Sequence, residues 1–432
     1  MIKFFPIFLF FFALHGCNNP TKTPVLAPTE TQKVIRAMTD IMVHDITNPP
    51  LAARFFAYSC LAGYEVLAQN DSNFHTMQGV LNEYPTIEKP AISDYSYQLS
   101  AILAMLETAK KMQPSGALLD EYEIKYVDSC QNIGFSKSVA ANSLKYAQAI
   151  SQQILKYAKA DNYNRISNFP RYTPKTRGGS WYPTPPAYLA PVEPYFNTIR
   201  PFTLDSAAQF KPMPPIAFSK DKNSDFYKLM AAVYKEKLPE EHQEIAAFWD
   251  CNPFALQDNG HLLTARKKIS PGAHWMGIVG IACEKSTTDF SKTLYIHTVL
   301  AIGLMDGFMT CWDEKYRSNR IRPETAIRQY IDPQWTPFLQ TPPFPEYLSG
   351  HSTISATAAT LLTHFFGDNY SYEDTVEERF GLKNRSFSSF KQAANEAGIS
   401  RFYGGIHFMD AITNGNLQGV KVGNHVIETI KN

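Results

Sequence analysis

The residues best suited to chemistry fall in three short blocks in the last third of the chain: Lys315-x6-Arg322-Pro323, Ser349-Gly350-His351 and Ser400-Arg401-x5-His407. Together they offer a lysine, two arginines, two histidines and a backbone amide beside a glycine. Arginine presents a planar fork that matches the edge of an oxyanion, and lysine a compact charge. A glycine at a helix start lets an anion approach unpaired backbone N–H groups. This inventory suits a tetrahedral oxyanion such as phosphate or vanadate.

Each block also has a plain structural reading. On one helix, Lys315 and Arg322 would lie two turns apart on nearly the same face, with Pro323 ending that helix just beyond. The alternative is a solvated basic face, and that reading is given to Arg317, Arg320 and Arg328. In the second block Ser349, Ser352 and Thr353 are good cap residues, so a helix is expected to begin near Ser352. His351 would face an anion bound there, with a near-neutral pKa suited to proton transfer. In the third block Gly404-Gly405 allows a tight turn between Arg401 and His407. A histidine nitrogen can bond to vanadium or attack phosphorus. His44, His75, His242, His261, His274, His297, His364 and His425 carry no motif and are read as structural.

The order and spacing of the blocks resemble the superfamily that joins vanadium-dependent haloperoxidases with type 2 phosphatidic acid phosphatases, over residues 312–410. The resemblance implies that Lys315, Arg322, Ser349, Gly350 and Arg401 hydrogen-bond the oxyanion. His407 would be the vanadium ligand, or the nucleophile of a phosphatase, and His351 the general acid/base. Trp312, three residues before Lys315, and Phe344, five before Ser349, match aromatics that wall the halide side in the haloperoxidase branch. Chain length and the segment Phe248-Trp249-Asp250-Cys251-Asn252-Pro253-Phe254 also resemble bacterial vanadium iodoperoxidases. The function so implied is oxidation of iodide or bromide by hydrogen peroxide to hypohalous acid, with vanadate as cofactor and phosphate as a competing isostere.

Several positions depart from the family pattern. Leu348 replaces the proline usual before Ser-Gly-His, which is expected to loosen the loop. Ala411 stands where the family carries an aspartate four residues after the last histidine; whether Asp410, one position earlier, orients His407 stays open. Asp250 is placed either to pair with Arg401 or to cap a helix. Phe254 stands where some iodoperoxidases have a tyrosine. Two rival functions keep the same residues: a periplasmic acid phosphatase working through a phosphohistidine on His407, and a surface lipoprotein that binds an oxyanion or partner without catalysis.

Positioning such a site falls to helices. From Thr31 onward apolar residues recur at three- and four-residue steps, as in Val34, Met38, Ile41 and Met42. Similar runs cover Leu51–Leu67, Tyr95–Met112, Leu118–Val127, Val139–Tyr157, Phe226–Tyr234, His242–Trp249, Gly272–Cys283 and Leu294–Met309. The last two are the most apolar, but both fall short of the roughly 18 residues a membrane span needs, and Asp306 interrupts the second. The expected fold is therefore all-α, two helical bundles packed together with few or no strands. The N-terminal half would be residues 30–220, including a Pro/Tyr-rich excursion over 160–220 that must be ordered to bury its aromatics. Residues 221–432 would form the bundle carrying the oxyanion site.

Composition agrees with a globular body. The 432 residues are 44% hydrophobic and 13% aromatic, with a net charge of +1 and 19% charged residues, which leaves no basic footprint for nucleic acid. Residues 1–17 read as a lipoprotein signal: Lys3, an apolar run from Phe4 to Leu14, then Leu14-His15-Gly16-Cys17, with Cys17 the lipidated residue. Residues 18–29 would tether the lipid to the domain. The expected location is the outer membrane, facing the periplasm or the cell surface. The cysteines left after Cys17 number five and contain no CxxC pair, so the spacing indicates neither a zinc site nor a disulfide framework; Cys60, Cys283 and Cys311 sit in apolar runs.

Overall fold

A computed structural model describes residues 24–175, 177–258, 263–265 and 268–431. The signal segment with Cys17, the first half of the expected tether (residues 18–23), and His261 lie outside the described residues. At the near end of that tether Leu26 is already buried, and its amide donates to Gln98 Oε1 at 2.8 Å.

Helices dominate the described residues. In the first half they are α1 (Thr29–His44), α2 (Pro49–Ala68), α3 (Tyr97–Met112), α4 (Leu119–Asn132), α5 (Lys137–Lys159) and the single turn α6 (Tyr163–Ile166). The second half holds α7 (Asp225–Tyr234), α8 (Glu240–Phe248), α9 (Pro271–Lys285), α10 (Phe290–Ser318), α11 (Pro323–Tyr330), α12 (Gly350–Phe366), α13 (Phe390–Tyr403) and α14 (Met409–Thr429). The sheet content is two short antiparallel hairpins, β1 (Leu256–Asp258) with β2 (Leu263–Ala265), and β3 (Tyr372–Asp374) with β4 (Arg385–Phe387). The all-α expectation holds. Helix starts follow from local chemistry: Asn48, Ser96, Ser136, Ser224, Ser270, Asp289, Ser349 and Ser389 each accept an amide N–H of the following first turn.

One bundle is built on α2, α3 and α5, the other on α10, α12, α13 and α14, and α2 packs on α10 between them. One large apolar core runs through both, with smaller separate clusters around Phe226, Ile327 and Phe408 and around Leu339 and Ile406. Helix α10 corrects the sequence reading. It is 29 residues long, so one helix among those described is long and apolar enough to cross a membrane, but almost its whole length is buried inside the protein. Asp306 does not interrupt it. Its carboxylate accepts the amides of Phe202 and Thr203 at 2.8 Å each and the Thr203 hydroxyl at 2.6 Å, tying the excursion to the central helix.

The excursion crosses the second bundle as an ordered wrap. Trp181 N donates to Asn319 O at 2.9 Å, Ile321 N to Gly179 O at 2.9 Å and Val192 N to Pro343 O at 3.1 Å. Helices α12 and α14 pack closely because α14 carries glycine at every fourth position facing its partner. A Cβ on Gly419 would lie 2.2 Å from the Thr353 carbonyl oxygen, and one on Gly415 would lie 2.9 Å from Ser352 Cβ. The N-terminus of α12, which holds the Ser-Gly-His block, is thus set by the approach of α14.

Candidate active site

Lys315 lies in the last turn of α10, and Arg322 does not share that helix. Asn319 adopts the left-handed conformation at φ 51° and closes α10, and Pro323 sits at the first position of α11, where its missing N–H costs nothing. Arg322 therefore stands in extended backbone between two helices. The two cations meet through this break, not through a shared face. Ser349 caps α12, accepting from Ser352 N at 3.3 Å, so the helix begins at Gly350, slightly earlier than the sequence indicated. Its amide donates to Ala411 O at 3.1 Å, which joins the block to α14. Arg401 ends α13, and Gly405, at φ +74°, turns the chain so that His407 comes back beside it.

The second and third blocks line a small cavity through Gly350, His351, Arg401 and His407, together with Trp312, Phe344, Cys251 and Asn252, while Lys315 and Arg322 of the first block lie behind its Phe344 and His407 walls. Trp312 and Phe344 form its aromatic side, with ring centroids 5.0 Å apart. Trp312 Nε1 donates to Val192 O at 3.1 Å, so the excursion fixes that ring. The Lys315 ammonium lies 5.0 Å and the Arg322 guanidinium 5.1 Å from the Phe344 ring centre, one face of the site where cations meet an aromatic.

Lys315, Arg322 and Arg401 are all fully buried, which is costly for cations without anionic partners. Lys315 donates to the carbonyl oxygens of Pro345 at 3.0 Å and Glu346 at 3.2 Å, and to that of Leu348. Leu348 is itself fully buried. Arg322 Nε donates to Phe344 O at 2.9 Å, and its Nη1 to Ile406 O at 2.9 Å and to His407 Nε2 at 3.0 Å. Arg401 Nη1 donates to Trp249 O at 2.8 Å. What these contacts leave over is informative. Arg322 Nη2, Arg401 Nε and Nη2, and His351 Nε2 are buried with no hydrogen-bond partner. Buried polar atoms of this kind are rarely abandoned in a folded protein. The set is what a tetrahedral oxyanion would engage, so the residues present fit vanadate or phosphate.

Burial moves every cation of the set the same way. It pushes Lys315 down to about 7 and Arg322 down to about 9, with cationic neighbours adding to both, and it lowers Arg401 as well. Burial, then Arg401 and His407, hold His351 well below the ordinary histidine range. Burial, then Arg322 and Lys315, do the same to His407. Both imidazoles are therefore neutral at neutral pH. For His407 the neighbours also select the tautomer: Glu346 Oε1, 3.0 Å from Nδ1, can only accept, and Arg322 can only donate, so the proton is on Nδ1 and Nε2 keeps its lone pair.

Glu346 carries no motif in the sequence, yet it orients His407. Its Oε1 also accepts Phe408 N at 2.9 Å, and its Oε2 accepts Arg320 Nε at 2.6 Å. Arg320, read from sequence as solvated, is buried; it is held on its other side by Asp410, at 2.6 and 2.7 Å from Nη1 and Nη2. Asp410 thus reaches His407 only through Arg320 and Glu346. The available signal was position: Glu346 lies three residues before Ser349, and Arg320 two before Arg322. Asp250 is not a helix cap, since α8 ends at Phe248. Its Oδ1 is 3.8 Å from Arg401 Nη2, beyond hydrogen-bond distance, and its other oxygen is taken by Lys268.

Comparison with known proteins decides the family. The chain is 43% identical to a bacterial vanadium-dependent iodoperoxidase of known structure, with a TM-score of 0.89, covering 94% of this chain and 98% of that one. The chain belongs to the vanadium-dependent haloperoxidases. Residues 295–432 match the VCPO second helical-bundle domain, the part of this haloperoxidase that holds all three blocks. The holo form of a bacterial vanadium-dependent chloroperoxidase shares the fold at 14% identity and a TM-score of 0.61, covering 94% of this chain and 93% of that one. The apo form does so at 13% identity and a TM-score of 0.63, covering 94% and 95%. No curated protein matches the chain.

Proposed function

We propose that this haloperoxidase oxidises iodide or bromide with hydrogen peroxide, holding vanadate in the cavity between the three blocks. The observation that carries the reading is the set of unpartnered guanidinium donors on Arg322 and Arg401, with the unpartnered His351 Nε2, beside the Trp312–Phe344 wall. Likeness to an iodoperoxidase supports the choice of halide.

Vanadate, when bound, supplies Lewis-acid activation of hydrogen peroxide toward attack by halide. The chain's residues do the rest. His407 offers the Nε2 lone pair that Glu346 keeps aimed. Arg322, Arg401, Lys315, the Ser349 side chain and the Gly350 amide hold the oxyanion by charge and hydrogen bonds already in place before reaction. His351, neutral and with Nε2 free, accepts a proton from hydrogen peroxide and returns it to the departing hypohalite. Trp312 and Phe344 exclude water from the side at which halide arrives. Export completes the proposal: residues 1–17 direct the chain outward, and Cys17 receives the lipid.

The test uses the chain without its lipid anchor, stripped of metal and assayed for iodide and bromide oxidation with and without orthovanadate. Vanadate-dependent turnover that phosphate suppresses is expected. Vanadate-inhibited hydrolysis of a phosphate ester without halide oxidation would make the chain a phosphatase, and neither activity would make it an oxyanion-binding lipoprotein.

A further inference from the structure

Next to the oxyanion cavity lies a second group of chemically capable side chains that the proposed reaction does not use. Cys251 follows α8 in the loop of residues 249–252, His274 is in the first turn of α9, and Glu377 follows β3. All three are buried. Cys251 Sγ is 3.4 Å from His274 Nδ1 and 3.7 Å from Glu377 Oε1, and His274 Nδ1 is 3.2 Å from the same oxygen. Zinc bonds of about 2.3 Å to sulfur, about 2.0 Å to nitrogen and about 2.0 Å to oxygen in tetrahedral geometry would set these atoms roughly 3.3 to 3.6 Å apart. The triangle has those dimensions.

The surroundings are those of a metal-binding imidazole. His274 Nε2 is 2.8 Å from Asp374 Oδ2, fully buried, and Asp374 is itself fixed by accepting Val376 N at 3.0 Å. A carboxylate on the far nitrogen holds the proton there and leaves the Nδ1 lone pair for a metal. Trp249 stacks on the other side, with ring centroids 4.7 Å apart. We propose that Cys251, His274 and Glu377 form a binding site for a divalent ion of the zinc class, a thiolate–imidazole–carboxylate set that disfavours magnesium and calcium.

The site joins three separate parts of the chain: the loop of residues 249–252, the start of α9 and the hairpin β3–β4. Its role is a clamp. The loop it holds carries the Trp249 carbonyl on which Arg401 rests, so the ion keeps an oxyanion-binding arginine in place without touching the oxyanion. Binding displaces the thiol proton of Cys251 and any proton on His274 Nδ1, which leave to solvent.

The test is metal binding to the vanadate-free mature chain, stripped with a chelator and titrated with Co2+ and then Zn2+. One equivalent of Co2+ should give a thiolate-to-cobalt charge-transfer band and the strong visible bands of tetrahedral cobalt, and Zn2+ should bleach both. Cys251→Ser should lose the charge-transfer band, while Cys283→Ser, at a distant buried cysteine, should keep it. The wild-type titration stands even if Cys251→Ser fails to fold: no charge-transfer band in the wild type, or a band that survives in folded Cys251→Ser, overturns the proposal. The readout needs no vanadate, halide or peroxide, so it fails or succeeds independently of the haloperoxidase assay.

Discussion

At the scale of single residues, the site depends on which way His407 carries its proton. Glu346→Gln keeps the shape but removes the obligate acceptor at Nδ1, freeing the ring to turn its lone pair away. Loss of such an outer partner weakens metal affinity by roughly 10- to 100-fold. We therefore expect vanadate binding to Glu346→Gln, measured by titration, to weaken by that factor, with a lowered thermal midpoint because buried Arg320 loses one of its two carboxylate partners. His407→Ala should abolish vanadate binding and peroxidase turnover together; unchanged turnover would refute the ligand assignment. Lys315 makes the site pH-sensitive. Its ammonium is held down to about 7, and a bound anion favours the charged form, so binding raises that pKa and takes up a proton above pH 7. Sulfate, which does not titrate in this range, should bind more weakly as pH rises above about 7, by up to about tenfold per unit, and level off below it. Lys315→Gln should flatten that slope. The measurement is isothermal titration in buffers of different ionisation enthalpy.

At the scale of elements, the approach of α14 to α12 sets where the Ser-Gly-His block stands. In an isolated helix, Gly419→Ala would gain about 1 kcal/mol from propensity. Here the new Cβ would meet the Thr353 carbonyl oxygen at 2.2 Å, backbone that cannot swing aside. Overpacking of this kind costs about 1–3 kcal/mol. We expect a net loss of stability in urea and weaker vanadate binding, because α12 must move and takes Gly350 and His351 with it. A urea midpoint at or above that of the wild type would show that α12 yields freely. The break between α10 and α11 matters in the same way. It was hidden from periodicity because a left-handed Asn319 is a tertiary outcome, stabilised by Tyr172, whose hydroxyl reaches the Asn319 side chain, and by the Trp181 amide on its carbonyl.

At the scale of the whole molecule, the excursion of residues 160–220 ties the two halves together. Asp306 holds it to the central helix and Val192 meets both Trp312 and Tyr316, so the aromatic wall of the cavity is supported by chain from the other half of the sequence. Export belongs to this scale as well. In a Gram-negative host the full chain should incorporate labelled palmitate and sediment with membranes, and Cys17→Ala should do neither; label retained by Cys17→Ala would exclude lipidation at that position.

Helical periodicity was legible from residues 31–432 alone, because apolar spacing records which face is buried, whereas the three blocks, each with a plain structural reading, gained their meaning only from their combined order and spacing. The family resemblance singled out Trp312 and Phe344, but their closeness to the Lys315 ammonium is shown by the structure. It misjudged residues whose meaning depends on a distant partner. Arg320 reads as a surface charge until Glu346 and Asp410 close around it, and Glu346 reads as a loop acid until His407 folds back across Gly405. The apolar run in α10 reads as too short because polar residues at its ends are buried by other elements and not by their own pattern. Cys251, His274 and Glu377 lie 126 residues apart from first to last and share no motif. Only tertiary packing brings them within reach, since contact between separate elements leaves no periodic trace in the order of the residues.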